Sequence, residues 1–223
     1  LIHAGTENEV KVVVKSIHSE YLDKENISKQ LFQLDGIIVA PGFGQRGLDG
    51  KILAVEYARV NKIPFLGICL GMQMAVIEYA RNVKKMRYAN STEISEKCKD
   101  PVIDLMTSQK EIINMGGTMR LGAWDCEIEK NTKSYKSYKK KLISERHRHR
   151  YEFNNNYTDK IFDDKFIIAG SNPDTKLVEI VENIDHPWFV GVQFHPEYKS
   201  SVYNPHPIFV NFVKASLKNY LNK

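Results

Sequence analysis

The chain has 223 residues, 42% of them hydrophobic and 26% charged, with a formal net charge of +5. This length suits a single domain with a substantial core, and the composition is ordinary for a globular protein. Three cysteines without CxxC spacing argue against a disulfide framework and a zinc site, and neither a signal peptide nor an apolar run of the roughly 18 residues that span a bilayer is found. We therefore expect a cytoplasmic protein that uses no metal in this domain and binds no membrane.

The positive charge is concentrated in one polar segment, 130–141, which holds six lysines together with Tyr135 and Tyr138. Basic residues interleaved with aromatic ones occur in nucleic-acid interfaces, but no RNP-like or helix-turn-helix pattern accompanies them here. Charge runs of this kind usually form a solvated surface. We expect a solvated loop or variable surface and no nucleic-acid partner.

The first third of the chain alternates strand and helix patterns. Runs of β-branched residues at 10–17 and 37–40 predict strands, with a polar, helix-capable stretch at 23–33 between them. A glycine-rich loop at 41–47 precedes a helix pattern at 52–60, and a short apolar run around Phe65 predicts the next strand. This order predicts an α/β fold of the flavodoxin-like kind, with a mostly parallel central sheet and helices on both faces.

Two features of this arrangement bear on function. Ligands of parallel sheets bind beyond the carboxyl ends of the strands, so the loop at 41–47 and the segment that follows Phe65 are predicted neighbours. The chain also opens on what looks like the tail of a helix, residues 1–5, so we expect the usual first strand of the sheet to be missing.

The rest of the chain has shorter elements. Polar residues at 90–93 predict a turn, and glycines at 116–122 predict a corner. Further strands are predicted at 119–129, 166–169, 177–181 and 188–194, and an amphipathic helix at 207–221. Without repeats or low-complexity linkers, residues 1–223 are expected to form one domain.

Cys69 is the candidate nucleophile. It lies at the predicted corner between the strand around Phe65 and a helix, with Gly67 and Gly71 on either side. Small residues there allow the close backbone approach seen at the Gly-x-Ser-x-Gly elbow of hydrolases. The helix N-terminus favours a thiolate. Because free cysteines are often inert core residues, the motif alone leaves both interpretations open.

A cysteine nucleophile usually needs a base that is held by a third group. His195 ends the apolar strand at 188–194, and Glu197 lies two residues further on, where it can accept a hydrogen bond from the imidazole. His147 and His149 compete for the role but alternate with arginines, and neighbouring cations disfavour proton uptake. Those arginines are better suited to a substrate carboxylate.

The segments 67–73 and 194–197 together resemble the class I glutamine amidotransferases, which hydrolyse glutamine and pass the ammonia to a partner active site. Within that class, the segments 90–93, 116–122 and 146–152 resemble the glutaminase domains of the CTP synthase family, as do 44–47 and 186–190. The resemblance spans nearly the whole chain. It implies a domain detached from an N-terminal synthase domain of the same polypeptide, which aminates UTP to CTP.

The resemblance also implies roles for residues of this chain. It places the nucleophile on Cys69, the base on His195 and the third member of the triad on Glu197. Glutamine contacts fall on Gly42, Leu70, Gly71, Met72, Gln73, Glu93 and Arg150, and the oxyanion hole on Leu70 and Gly42. Zwitterionic L-glutamine would place its ammonium on Glu93 and its carboxylate on Arg150. The domain itself needs no cofactor, whereas the full enzyme, expected as a homotetramer, uses ATP, Mg and the effector GTP.

One residue departs from the family pattern. The family usually has Pro-Gly-Gly-Phe-Gly in the loop where this chain has Ala-Pro-Gly-Phe-Gly at 40–44, so Pro41 replaces the first glycine. Proline has no N–H to donate. The second oxyanion donor would then come from Gly42 or Phe43.

Three other functions remain open at the level of sequence. The chain could be a glutaminase of GMP or anthranilate synthesis, although the arginine run at 146–150 argues against it. It could be a non-catalytic assembly module in which Pro41 marks a decayed site. The basic segment leaves nucleic-acid binding as the most distant alternative.

Overall fold

The computed structural model describes residues 1–95, 97–105 and 119–223. The α-helices of these ranges are α1 (Ile2–Glu7), α2 (Ile27–Leu31), α3 (Leu48–Val60), α4 (Leu70–Glu78), α5 (Lys133–Tyr138), α6 (Thr158–Ile161) and α7 (Pro207–Leu221). The strands are β1 (Ile37–Val39), β2 (Phe65–Ile68), β3 (Ala89–Ser91), β4 (Asp100–Leu105), β5 (Arg120–Ile128), β6 (Leu142–His149), β7 (Tyr151–Phe153), β8 (Phe166–Ser171), β9 (Val178–Asn183) and β10 (Phe189–Val192). Each helix in the described ranges is too short or too polar to span a bilayer.

Seven strands form the central sheet in the order β1-β2-β10-β9-β8-β5-β6, and β3-β4-β7 form a small second sheet. The strands β1, β2 and β10 are parallel, whereas the pairs from β10 out to β6 are antiparallel. The α/β fold class is confirmed, but the sheet is mixed rather than mostly parallel. The reason is the connections: α3 crosses over between β1 and β2, whereas β8, β9 and β10 follow each other through short turns that permit only antiparallel pairing.

Helices cover both faces of the parallel part. On one face, Phe65 and Phe189 pack with buried residues of α3 and α4. On the other, Leu66 and Val190 pack with the apolar face of α7, which includes Phe212. Strands buried on both faces explain the near-continuous apolar runs around Phe65 and at 188–194.

The strand predicted at 10–17 is wrong. This segment has no regular structure, and Val13 and Val14 are exposed to 81% and 59%. A β-branched run becomes a strand only beside a partner that takes up its backbone groups, and none of the described strands pairs with this segment. The helix-capable stretch at 23–33 contributes only the short α2.

Three other predictions are corrected. Part of the predicted turn at 90–93 is strand β3, and the turn begins only at Thr92. In the predicted corner at 116–122, residues 116–118 lie outside the described residues and 120–122 belong to β5. The basic segment at 130–141 is not a loop, because it contains α5. The Glu182 carboxylate accepts hydrogen bonds from the backbone N–H groups of Lys133 and Ser134, at the start of that helix.

Candidate active site

Cys69 forms a tight corner between β2 and α4. Its backbone has φ +53° and ψ −106°, a conformation that is rare for any residue other than glycine. The Cys69 N–H donates to Val192 O of the neighbouring strand at 2.7 Å, and the Cys69 carbonyl accepts from Met72 N and Gln73 N in the first turn of α4. The corner predicted from the spacing of glycines is therefore present, and it holds the sulfur at the carboxyl end of β2.

The two flanking glycines are required by close backbone packing. A Cβ on Gly67 would lie 2.6 Å from backbone atoms of Gly71, and a Cβ on Gly71 would lie 2.1 Å from Val39 O in β1. Neither contact can be relieved by moving a flexible side chain. The start of α4 thus packs directly on the ends of β1 and β2.

The Cys69 side chain is buried in this corner, at 4% exposure. Burial disfavours the charged thiolate and raises the pKa of Cys69 to about 12, although a hydrogen bond from the Leu70 backbone N–H opposes the rise. The carboxylates of Glu197, Glu93 and Glu152 add to it. The resting residue is a thiol at neutral pH, so attack by its sulfur requires a base.

His195 and Glu197 follow β10, the parallel neighbour of β2, and so lie at the same edge of the sheet. His195 Nδ1 is 2.6 Å from Glu197 Oε1, and because a carboxylate accepts, Nδ1 carries the hydrogen. The ring stacks on Tyr198, and the His195 backbone N–H donates to Arg146 O. In the described part of the chain, the buried Nε2 has no hydrogen-bond partner. It presents a free lone pair, as a general base requires.

The candidate glutamine contacts lie on three elements around this corner. Gly71, Met72 and Gln73 follow Leu70 in the first turn of α4. An added Cβ on Gly42 would be 3.3 Å from the Leu70 side chain, so Gly42 lies next to that turn. The half-buried carboxylate of Glu93 accepts from Gly44 N at 2.9 Å.

Arg150 lies at the corner between β6 and β7. Its Nε is buried and has no hydrogen-bond partner among the described residues. The next residue, Tyr151, accepts a hydrogen bond from the Gln73 side chain through its carbonyl at 2.9 Å. The Arg150 corner therefore packs against the first turn of α4.

Sequence reasoning missed one group beside the sulfur. Gln193 is fully buried, and its Nε2 donates to Cys69 Sγ at 3.7 Å. Gln73 Nε2 lies 3.3 Å from Gln193 Oε1. The signal in the sequence was Gln193 itself, a polar residue near the end of the apolar run 188–194.

Sequence reasoning also missed a buried charge network behind the site. Arg120 on β5 donates to Glu152 Oε2 at 3.1 Å and to Glu179 Oε1 at 2.6 Å. His147 Nε2 lies 3.5 Å from Glu179, and His149 Nδ1 lies 3.8 Å from Glu152. All five side chains are at most 6% exposed. The signal in the sequence was Glu179, a carboxylate inside the apolar run at 177–181.

The tautomers of the two histidines favour an extra proton in this network. His147 Nδ1 and His149 Nε2 share one hydrogen bond of 2.8 Å, so only one of the two outer nitrogens of neutral rings can carry a hydrogen. The other directs a lone pair at Glu152 or Glu179, which is favourable only if that carboxyl is protonated. Burial accordingly raises the pKa of Glu152 to about 8 and of Glu179 to about 7, against the opposing effect of Arg120.

Neither histidine is available as the catalytic base. Burial, followed by the charge of Arg120, lowers the pKa of His147 to about 2 and of His149 to about 3. The conclusion drawn from the sequence stands, but its reason changes. Arg146 and Arg148 point away on the exposed face of β6, and the cation that acts on the rings is Arg120.

The fold and this site define a class of protein. The family model "Glutamine amidotransferase class-I" matches residues 1–215, and the chain belongs to that family. A putative GMP synthase component from Thermoplasma acidophilum, 20% identical with a TM-score of 0.60, covers 96% of this chain and shares the fold.

Within the class, the chain is a glutaminase domain of the CTP synthase type. It is 60% identical over 216 residues to the CTP synthase of Flavobacterium johnsoniae, covering 97% of this chain and 40% of that protein. The CTP synthase of Clostridium kluyveri is 54% identical, with 98% and 41% covered. The solved glutaminase domain of Trypanosoma brucei CTPS with bound acivicin is 38% identical, with a TM-score of 0.91 and 97% and 85% covered. The chain thus spans about 40% of the length of the curated relatives it matches.

Proposed function

We propose that this domain hydrolyses L-glutamine to glutamate and ammonia through a γ-glutamyl thioester on Cys69. The observation that carries the proposal is the pairing of two strand ends. A strained corner presents the Cys69 thiol, and the adjacent parallel strand leads to His195, whose Nδ1–H is bonded to Glu197 and whose Nε2 is free among the described residues.

Substrate binding follows from the charges around the corner. The Glu93 carboxylate takes the ammonium group of glutamine, and Arg150 takes its carboxylate. Gly42 and the first turn of α4, Leu70 through Gln73, surround the side chain. Holding both charged groups on the α-carbon directs the side-chain amide carbon towards the sulfur, which gives the attack the advantage of an intramolecular step.

The covalent step then proceeds with all protons accounted for. His195 Nε2 takes the thiol proton as sulfur adds to the amide carbon, and the oxyanion accepts a hydrogen bond from the Leu70 N–H. Gly42 supplies the second donor, since Pro41 has none. The intermediate collapses as His195 protonates its NH2 group, the C–N bond breaks and ammonia departs. Water, deprotonated by His195, attacks the thioester, the C–S bond breaks and glutamate is released, and His195 returns the proton to the sulfur.

The fate of the ammonia is inferred from the relatives. Because they are CTP synthases more than twice as long as the matched region, we assign this domain to a polypeptide with an N-terminal synthase domain. That domain aminates UTP to CTP with ATP and Mg, and GTP acts as the effector. The full-length enzyme is a cytoplasmic homotetramer.

Glutamine-dependent ammonia release tests the activity in the polypeptide that carries this chain. Cys69→Ser is expected to abolish glutamine hydrolysis with an unchanged melting temperature, and Cys98→Ser, a half-buried thiol, serves as the matched control. Undiminished hydrolysis in Cys69→Ser would refute the proposal. Acivicin, bound in the T. brucei domain, should label Cys69 faster than Cys98 or Cys126, whereas a decayed, non-catalytic site would show no preference.

A second assay separates CTP synthesis from other pathways. Amination of UTP with glutamine as the nitrogen source is expected in the full polypeptide and lost in Cys69→Ser, whereas free ammonia should still support it. Glutamine hydrolysis without UTP amination would assign the domain to another synthase.

A further inference from the structure

We propose that Gln193 holds the Cys69 sulfur in its reactive position and stabilises its thiolate through a hydrogen bond from the side-chain amide. The inference deepens the proposed glutaminase function and rests on it. It gives a role to a buried residue that contacts the reacting sulfur atom and that the mechanism above does not use.

The direction of the Gln193 amide is fixed by its neighbours. The Tyr151 carbonyl can only accept, so the group of Gln73 that lies 2.9 Å from it is the donating NH2. That same NH2 faces Gln193 Oε1 at 3.3 Å, which must therefore be the acceptor. The NH2 group of Gln193 is thereby directed at Cys69 Sγ, 3.7 Å away. A backbone carbonyl thus sets the orientation of both amides.

The position of Gln193 is itself rigid. It directly follows β10, its backbone N–H donates to Glu179 O at 2.8 Å, and its side chain is fully buried. Cys69 is fixed to the same strand, because its N–H donates to Val192 O. The donor and the sulfur are therefore attached to one strand end, and their separation does not depend on the loop at 41–47.

The chemistry needs a donor at this point. A thiolate in a buried corner lacks water, and hydrogen bonds to a charged acceptor are the stronger kind. In the resting site the Gln193 amide donates to the sulfur, and the neighbouring Leu70 N–H lowers the pKa of the thiol against the effect of burial. When the oxyanion forms, the Leu70 N–H is used by the oxygen. Gln193 then remains on the sulfur, both when the thiolate attacks and when it leaves during thioester hydrolysis.

Gln193→Met tests the inference, since it removes the N–H and keeps the length and burial of the side chain. We expect alkylation of Cys69 by iodoacetamide, at one mildly alkaline pH, to slow by about 10- to 100-fold, the usual size of a hydrogen bond to a charged group. Cys98 in the same sample is the internal reference. Glutamine turnover should show a similar fall in kcat with KM changed by less than about 2-fold.

The possible results are distinguishable. Unchanged Cys69 alkylation and kcat in Gln193→Met would overturn the inference while leaving the proposed function intact, provided that Cys69→Ser abolishes hydrolysis. Equal acceleration of labelling at Cys69 and Cys98 would show unfolding. In that case Gln193→Asn replaces Gln193→Met, because asparagine keeps an amide but is too short to reach the sulfur. The same slowing of Cys69 alkylation is expected, and an unchanged rate would overturn the inference.

Discussion

Replacing Glu152 by glutamine should remove much of the alkaline loss of stability of this protein. Glu152 is 1% exposed, and its pKa in the folded chain is about 8, raised from 4.5 by burial. Because the folded state keeps this proton longer than the unfolded state, the free energy of unfolding falls as the pH rises towards 8. Glutamine imitates the protonated carboxyl permanently and removes that dependence.

The size of the effect follows from the two pKa values of Glu152, 4.5 and about 8. Between about pH 6.5 and about pH 9, loss of its proton lowers the free energy of unfolding by roughly 2 kcal/mol. At lower pH a second, opposite dependence enters, because His147 and His149 stay neutral in the folded chain but are protonated when it unfolds. Acid below about pH 6.5 therefore destabilises the fold through the histidines.

Urea unfolding at a series of pH values measures how the free energy of unfolding depends on pH. The wild-type chain should lose stability from neutral to alkaline pH, and Glu152→Gln should lose roughly 2 kcal/mol less. Glu127→Gln, a surface residue whose pKa is lowered by Lys141, is the matched control and should follow the wild-type slope over this range. The same alkaline slope in Glu152→Gln and in wild type would show that the network does not hold its proton as described.

Three further outcomes are expected. His195→Ala should lower kcat by roughly 100- to 10,000-fold. Glu197→Gln should lower kcat less, because the Glu197 carboxylate only orients the His195 ring. Equal losses of kcat in glutamine hydrolysis assays would contradict these separate roles. Gly67→Ala should fail to fold or should melt well below wild type, because its Cβ would overlap the backbone of Gly71; a wild-type melting curve would refute the packing at this corner. Arg150→Met should raise KM for glutamine at least about tenfold, and an unchanged KM would remove Arg150 from the binding site.

The sequence predicted those parts of the fold whose signals lie within one short segment of the chain. The corner at Cys69 was predicted because the apolar run, the two glycines and the following helix lie within one short segment. The segment at 10–17 has an equally strong local pattern and still forms no strand, because a strand needs a partner that its own sequence does not specify. The mixed pairing of the sheet likewise depends on which strands meet.

The site shows the same division. Cys69, His195 and Glu197 could be chosen as candidates from their positions at predicted strand ends. The Arg120 network could not, because it joins residues of β6 and β7 to residues of β5 and β9, which lie far from them in the chain. Strand β6 was missed altogether, since the alternation of Arg146 and Arg148 with buried histidines resembles a charge pattern more than a strand.

The central claim is that Cys69 carries the glutamyl group during turnover. The most direct measurement is rapid acid quenching of the enzyme during glutamine hydrolysis, followed by peptide mass analysis. We expect a γ-glutamyl adduct on the peptide that contains Cys69, which accumulates only in the presence of glutamine and is absent from Cys69→Ser. Turnover of glutamine with the adduct on another residue, or hydrolysis that persists in Cys69→Ser, would contradict the claim.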